Sequence, residues 1–216
     1  MGRIVRRFYF NTIFNRTKKE IKGKNNSINY NGSILSDVKF IINGNNNVIK
    51  IGKDCQLRNM TFEIRGDNHT ITFGENTWFL DTSEIVFEDS GCSLTIGEDG
   101  RFWGIHIAVT EPNSKITIGN GCTFAYDVDM RTGDSHSILS LETGERLNFA
   151  KDILIGDRVW IAAHNIILKG VTIPDNSIVA TGSIVTKKFK DKNVLIAGNP
   201  AKIIKEGVDW SRNRIN

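Results

Sequence analysis

The 216-residue chain has no apolar run of the roughly 20 residues that a bilayer-spanning helix needs, so no such helix is expected. Cysteine is scarce. Cys55, Cys92 and Cys122 are odd in number and widely spaced, with no C-x-x-C pair, which argues against a disulfide framework and against a zinc site. That usage suits a reducing compartment, hence a cytoplasmic protein. Proline is rarer than in most loop-rich chains, at three residues against twenty glycines, a balance that favours strands joined by tight turns over helices. The N-terminus has basic residues but lacks the clean apolar core and small-residue cleavage site of a signal peptide. The net charge is only +4, and much of it lies in residues 1–24, where eight Arg and Lys face only Glu20. The rest is close to neutral, so no nucleic-acid partner is expected.

A repeat is what the chain does have. Residues 155–190 scan in sixes, opened by Ile155, Ile161, Ile167, Ile173, Val179 and Val185. A helix needs apolar spacings of three and four, and an amphipathic strand alternates without a break. A strict six-residue period marks a parallel β-helix, in which each block supplies a short strand and a turn and three blocks close one triangular coil. The opening residues should point inward and stack on their equivalents one coil further on. Gly156, Asn165, Gly170, Asp175, Asn176 and Gly182 suit the turns.

A looser repeat precedes it. The tetrads IKIG at 49–52, ITFG at 71–74, LTIG at 94–97 and ITIG at 116–119 recur at spacings of 22, 23 and 22 residues. ILIG at 153–156 follows only after 37, so roughly fifteen residues are inserted between 120 and 152, outside the coil, and the insertion is read as holding Asp127, Asp129, Arg131, Asp134, His136, Glu142 and Glu145. Loops thrown out from a rigid repeat scaffold are where function concentrates. Cys55 and Cys122 hold equivalent places and should stack as small hydrophobes. The expected organisation is a basic amphipathic arm or helix at 1–24, a β-helix over 25–205 with a loop at about 131–150, and a C-terminal helix or tail at 206–216. A short helix after Gly198-Asn199-Pro200 is expected to cap the open end. The arm packs on the barrel or a neighbour; the alternative is a peripheral membrane contact through apolar insertion and attraction to anionic lipid.

The stretch from Arg131 to Lys205 carries S-H-S-I, T-G-E-R-x-N, I-G-D-x-V-W-I, I-L-K-G-V-x-I and A-G-N-P-A-K. It resembles the hexapeptide-repeat acetyltransferases, in the branch that O-acetylates bacterial surface polysaccharides such as capsules and sialic-acid polymers. The motifs match well over about the last 85 residues; earlier residues match only in having coils. The resemblance implies a left-handed parallel β-helix, a homotrimer, acetyl-CoA bound between neighbouring subunits, and direct transfer with the histidine at Ser135-His136-Ser137 as base. It also places a tryptophan, Trp160, near the donor. The chain departs from the pattern twice: Ala162-Ala163 replaces Gly and a polar or basic residue, which narrows the groove, and Thr186 stands where sialic-polymer enzymes place an aromatic.

The residues are read against that chemistry. A sugar hydroxyl needs a base, and histidine titrates nearest neutrality. Of four histidines, His136 lies in the inserted loop, beside small serines and two residues after Asp134; the plain alternative is an ordinary surface histidine. Asp134 is the candidate to orient the imidazole or to steady the loop, with Glu142, Glu145 or a backbone carbonyl as alternative orienters. Trp160 ends a hexad at an outward place, where its indole N–H or ring face can meet the thioester, the pantetheine or the sugar. Ala162, Ala180, Thr181 and Gly182 leave room for the pantetheine, and Lys187, Lys188 and Lys202 are candidates for its phosphates. Asp127, Asp129 and Arg131 are candidates for the acceptor hydroxyls. His164, near a turn, is read as facing solvent, with the donor groove as the alternative, and His69 and His106 as structural or exposed. No metal is expected. A zinc-dependent carbonic anhydrase on this fold needs three converging histidines, which four scattered ones do not supply. An N-acetyltransferase acting on an amino sugar and a non-enzymatic solenoid scaffold are the remaining alternatives.

Overall fold

The structure, a computed structural model, describes residues 16–215. It is a left-handed parallel β-helix with no helical segment among the described residues. Three faces wrap one core, and each is a column of inward residues in register. The first face stacks Leu57, Phe79, Phe102, Phe124, Ile161, Val179 and Ile196. On the second, Phe40 begins a column that passes through Phe62, Ile85, Ile107, Met130 and Ile167 to Val185. The third runs from Ile51 through Phe73, Ile96, Ile118 and Ile155 to Ile173. All six residues that open the hexads are fully buried, and each pairs with its equivalent one coil on, as the period predicts. Parallel strands lie about 4.8 Å apart, so aromatic rings in a column can stack: Phe79 and Phe102 lie 4.7 Å apart and nearly parallel.

The glycine of the recurring tetrad has a steric cause. A Cβ on Gly119 would lie 2.6 Å from the backbone of Gly156 in the next coil, closer than real carbons approach. The corner that follows holds Cys55 and Cys122, both fully buried as expected. Burial pushes the Cys122 thiol up to about 12. Cys92 belongs to another corner, below a ladder of turn side chains: His69 accepts through Nδ1 from the Cys92 amide at 3.1 Å, and Asn47 accepts from the His69 amide at 2.9 Å. Burial lowers the His69 pKa, and the ring is structural, as read from the sequence.

Three expectations need correction. The helix after Pro200 is a strand: Ala201–Glu206 pairs antiparallel with Val194–Gly198. Ala201 is buried and Ile203 packs against the core, a period-two pattern that a helix would scatter around its axis. The edge so formed carries Lys202, Lys205 and Glu206, charges that discourage further strand pairing. At the other end, residues 18–22 are not helical. Lys18–Lys22 pairs residue for residue with Lys39–Asn43, because the first long strand otherwise exposes its backbone edge. Residues 1–15, most of the expected arm, lie outside the described residues. Finally, Asp127, Asp129 and Arg131 belong to the coil, not to the insertion. Asp127 occupies a corner at φ 58°, and the other two lie on strand Val128–Arg131. The loop departs after Thr132 and rejoins at Lys151, whose amide donates to the Thr132 carbonyl at 3.0 Å.

Candidate active site

The inserted loop is irregular, yet it is tied down at several points. Asn148 is its hub and is almost fully buried. Its Nδ2 donates to the His136 carbonyl and to Asp134 Oδ2, both at 2.8 Å, while its Oδ1 accepts from the Ile138 amide at 2.7 Å. Arg146 reaches back to the coil and grips Glu111, with Nη1 donating to Oε2 at 3.0 Å. Lys169, from the coil beneath, donates to the Asp134 carboxylate and, at 2.8 Å, to the Asn148 carbonyl. Burial opposes ionisation of Asp134, but its bonds to Lys169 and Asn148 outweigh that and hold its pKa below the ordinary carboxylate value. Glu111 behaves likewise: burial raises its pKa, while the bonds from Arg146 and the Ala150 amide lower it further.

His136 stands at the tip of this framework. Its backbone is fixed by Asn148 and by its own amide, which donates to the Asp134 carbonyl at 2.7 Å. Its imidazole is exposed and makes no hydrogen bond among the described residues. Asp134 therefore spends its carboxylate on Lys169 and Asn148, away from the imidazole, and Glu142 and Glu145 also leave the ring unpartnered. The same loop presents Ile138, Leu139, Leu141, Leu147 and Phe149 to solvent, each more than half exposed.

Trp160 lies on the outside of the first face at 38% exposure, as its hexad place predicts, and its indole N–H has no partner among the described residues. The corner beyond it joins the first and second faces. Ala162 and Ala163 are nearly buried there; Ala180 is half-buried, and Thr181 and Gly182 are exposed in the next coil. A Cβ built on Gly182 would meet nothing within 4 Å, so an open strip runs along this corner. The amides of Ala162, Ala180 and Gly182 all donate within the coil stack, which leaves small side chains to shape the strip. Lys187, Lys188 and Lys202 are exposed at the C-terminal end of the solenoid.

Towards the N-terminal coils, the same corner carries a dyad that the sequence reading passed over. His164 Nδ1 lies 2.6 Å from Asp127 Oδ2, and the exposed Tyr126 ring meets the imidazole edge-on at 4.9 Å. Asp129 and Arg131 form a separate group on the second face. Arg131 Nη2 donates to Asp129 Oδ2 at 2.7 Å, and His106 lies 3.5 Å away on the same carboxylate. Burial opposes the Asp129 charge, but His106 and Arg131 outweigh it and draw its pKa down to about 2. Among the described residues, no group of three or more His, Cys, Asp or Glu side chains is arranged to hold a metal ion.

Asn148, Lys169 and Arg146 were not singled out as site residues. The signal for them lay in the motifs: Arg146 and Asn148 are the R and N of T-G-E-R-x-N, and Lys169 is the K of I-L-K-G-V. Tyr126 and the dyad had no motif to mark them.

No protein-family model matches the chain. Among curated proteins, it is 37% identical over 193 residues to the polysialic acid O-acetyltransferase of Neisseria meningitidis, a match that covers 88% of each chain. The chain belongs to the hexapeptide-repeat O-acetyltransferase family. It is an acyltransferase. Solved structures agree: the polysialic acid O-acetyltransferase OatWY matches at a TM-score of 0.75 and 35% identity, over 92% of both chains. The polySia-specific acetyltransferase NeuO matches at a TM-score of 0.78 and 32% identity, over 91% of this chain and 89% of that one. The likeness covers the early coils as well as the C-terminal motifs that first carried the resemblance.

Proposed function

We propose that the protein transfers the acetyl group of acetyl-CoA to a sugar hydroxyl of a bacterial capsular polysaccharide, in the class of polysialic acid. The observation that carries this is the end-to-end likeness to polysialic acid O-acetyltransferases, over about nine-tenths of both chains. His136 is the general base. It takes the proton of the acceptor hydroxyl as the oxygen attacks the thioester carbonyl, and coenzyme A leaves as the thiol. Transfer is direct. Trp160 offers an indole N–H that has no partner among the described residues, a donor suited to the developing oxyanion or to an amide carbonyl of the pantetheine.

The open strip at Ala162, Ala180, Thr181 and Gly182 fits the narrow pantetheine arm, and Lys187, Lys188 and Lys202 fit its phosphates. The acceptor takes the corner further towards the N-terminal coils. Tyr126 gives an aromatic face there for a sugar ring, and Asp127 and His164 give groups for its hydroxyls. Asp129 and Arg131, bound to each other, flank this region on the second face. Asp134 fixes the loop and does not orient the base.

The active form is a homotrimer, with each site shared between neighbours. Five apolar side chains on the loop stand in solvent in a single chain, a burden soluble surfaces avoid unless something covers them. The imidazole of His136 also lacks an orienting group among the described residues. No helix of the described residues is long and apolar enough to cross a membrane. The enzyme works in the cytoplasm, where acetyl-CoA is made, and the basic N-terminal arm can hold it peripherally at the membrane.

The test is incubation with acetyl-CoA and purified capsular polysaccharides, followed by mass spectrometry before and after mild alkali. An acetyl mark that alkali removes is an ester and supports this reading. An alkali-stable mark is an amide and returns the N-acetyltransferase alternative. No mark on any polymer, and no thermal shift with acetyl-CoA, would favour a scaffold.

A further inference from the structure

An irregular segment beyond the last strand of a sheet usually frays unless it is tied down. Here the segment after strand Ala201–Glu206 turns at Gly207 and runs back over the outside of the first face. Arg212 donates to Asp99 Oδ2 at 2.8 Å, to Thr123 Oγ1 at 3.0 Å and to the Gly121 carbonyl at 3.0 Å, so it grips two earlier coils. Asp209 accepts from the Arg158 guanidinium at 3.1 Å. Between these anchors sits Trp210. Its indole N–H donates to the Arg158 carbonyl at 2.6 Å, and its ring lies 6.1 Å from that of Trp160, tilted by 43°.

Trp160 needs such a neighbour. Its strand is only Trp160–Ile161, its side chain points outward, and its own N–H binds nothing among the described residues. An outward tryptophan with no hydrogen bond has several rotamers open to it. A ring packed against one side removes some of them and leaves the N–H free. We propose that Trp210 is a positioning residue for the transfer reaction: it sets the Trp160 indole in its working orientation, and Arg212 pins the strap that carries it. This rests on the reading that Trp160 acts in transfer.

The experiment uses the full-length protein and the variants Trp210→Ala, Trp210→Phe, Arg212→Gln and Trp160→Ala. Acetyl transfer is measured with saturating acceptor, and the indole N–H resonances are recorded on ¹⁵N-labelled protein. The Trp160 resonance is the one that Trp160→Ala removes. In Trp210→Ala it should move or broaden, and kcat should fall about tenfold with little change in KM for acetyl-CoA, the pattern of a contact that matters in the transition state. Trp210→Phe should restore most of the rate, and Arg212→Gln should act in the same direction more weakly. An unmoved Trp160 resonance in folded Trp210→Ala, or in Arg212→Gln should Trp210→Ala not fold, overturns the positioning role whatever the rates do. If Trp160→Ala keeps full activity, the parent reading of Trp160 fails, and the resonance still decides whether Trp210 orients it.

Discussion

Asn148 Nδ2 donates at 2.8 Å to the backbone carbonyl of His136, from a nearly buried position beneath the loop. The reactive residue of an otherwise irregular loop is thus held through its main chain while its imidazole stays free. Asn148→Ala removes four loop bonds at once, to Asp134, His136, Ile138 and Arg146. Each is worth about 1 kcal/mol net, and groups left unsatisfied cost more. The loop should loosen while the solenoid, built on other contacts, keeps its melting temperature to within a few degrees. Amides near residues 136–138 should exchange faster and kcat should fall. Unchanged exchange in that segment would show that Asn148 is not the hub.

The coil was legible in the sequence because its period is strict. The opening residue of every six is buried in register, and the tetrad glycine sits where the next coil leaves no room for a Cβ. The ends were not legible. A strand of alternating Ala201, Ile203 and Lys205 and a short helix look alike over six residues, and only the open edge left by the last coil decides between them. At the site, motif letters located His136 and Trp160 in the chain. They could not show that Asp134 turns to Lys169, since that pairing joins positions 35 residues apart.

Replacing the tetrad glycine should be costly. A Cβ on Gly119 would meet Asp157 Oδ1 at 2.4 Å and the Gly156 backbone at 2.6 Å. Gly119→Ala should destabilise by about 1–3 kcal/mol, the usual range for overpacking, measured by urea denaturation. A neutral substitution would mean that the coils separate more easily than their stacking implies.

The three thiols should resist modification in the native protein. All are buried, and burial pushes Cys92 up to about 11 and Cys122 up to about 12, far from the thiolate form that reacts. Thiol titration should find none reactive in buffer and three in denaturant. Fast reaction of any one under native conditions would contradict the packed corners.

The His106–Asp129 contact gives a pH signature. The Asp129 hydrogen bond raises the His106 pKa, so its contribution to stability is full below the unfolded histidine value and fades as pH rises through the folded one. For Asp129, whose pKa is depressed to about 2, the contribution is present above the unfolded carboxylate value and fades as pH falls toward 2. The melting-temperature deficit of His106→Gln relative to wild type should therefore be largest between about pH 4 and 6 and shrink at pH 8. A deficit that is flat across this range would remove the charged pair.

The most direct measurement is acetyl transfer by His136→Ala, read beside its binding of acetyl-CoA. Loss of a general base costs about two to four orders of magnitude in turnover, so the variant should still bind acetyl-CoA like wild type while transferring at a hundredth of the rate or less. Near-normal transfer by a folded His136→Ala would contradict the assignment of the base and, with it, the reading of the loop as half of the active site.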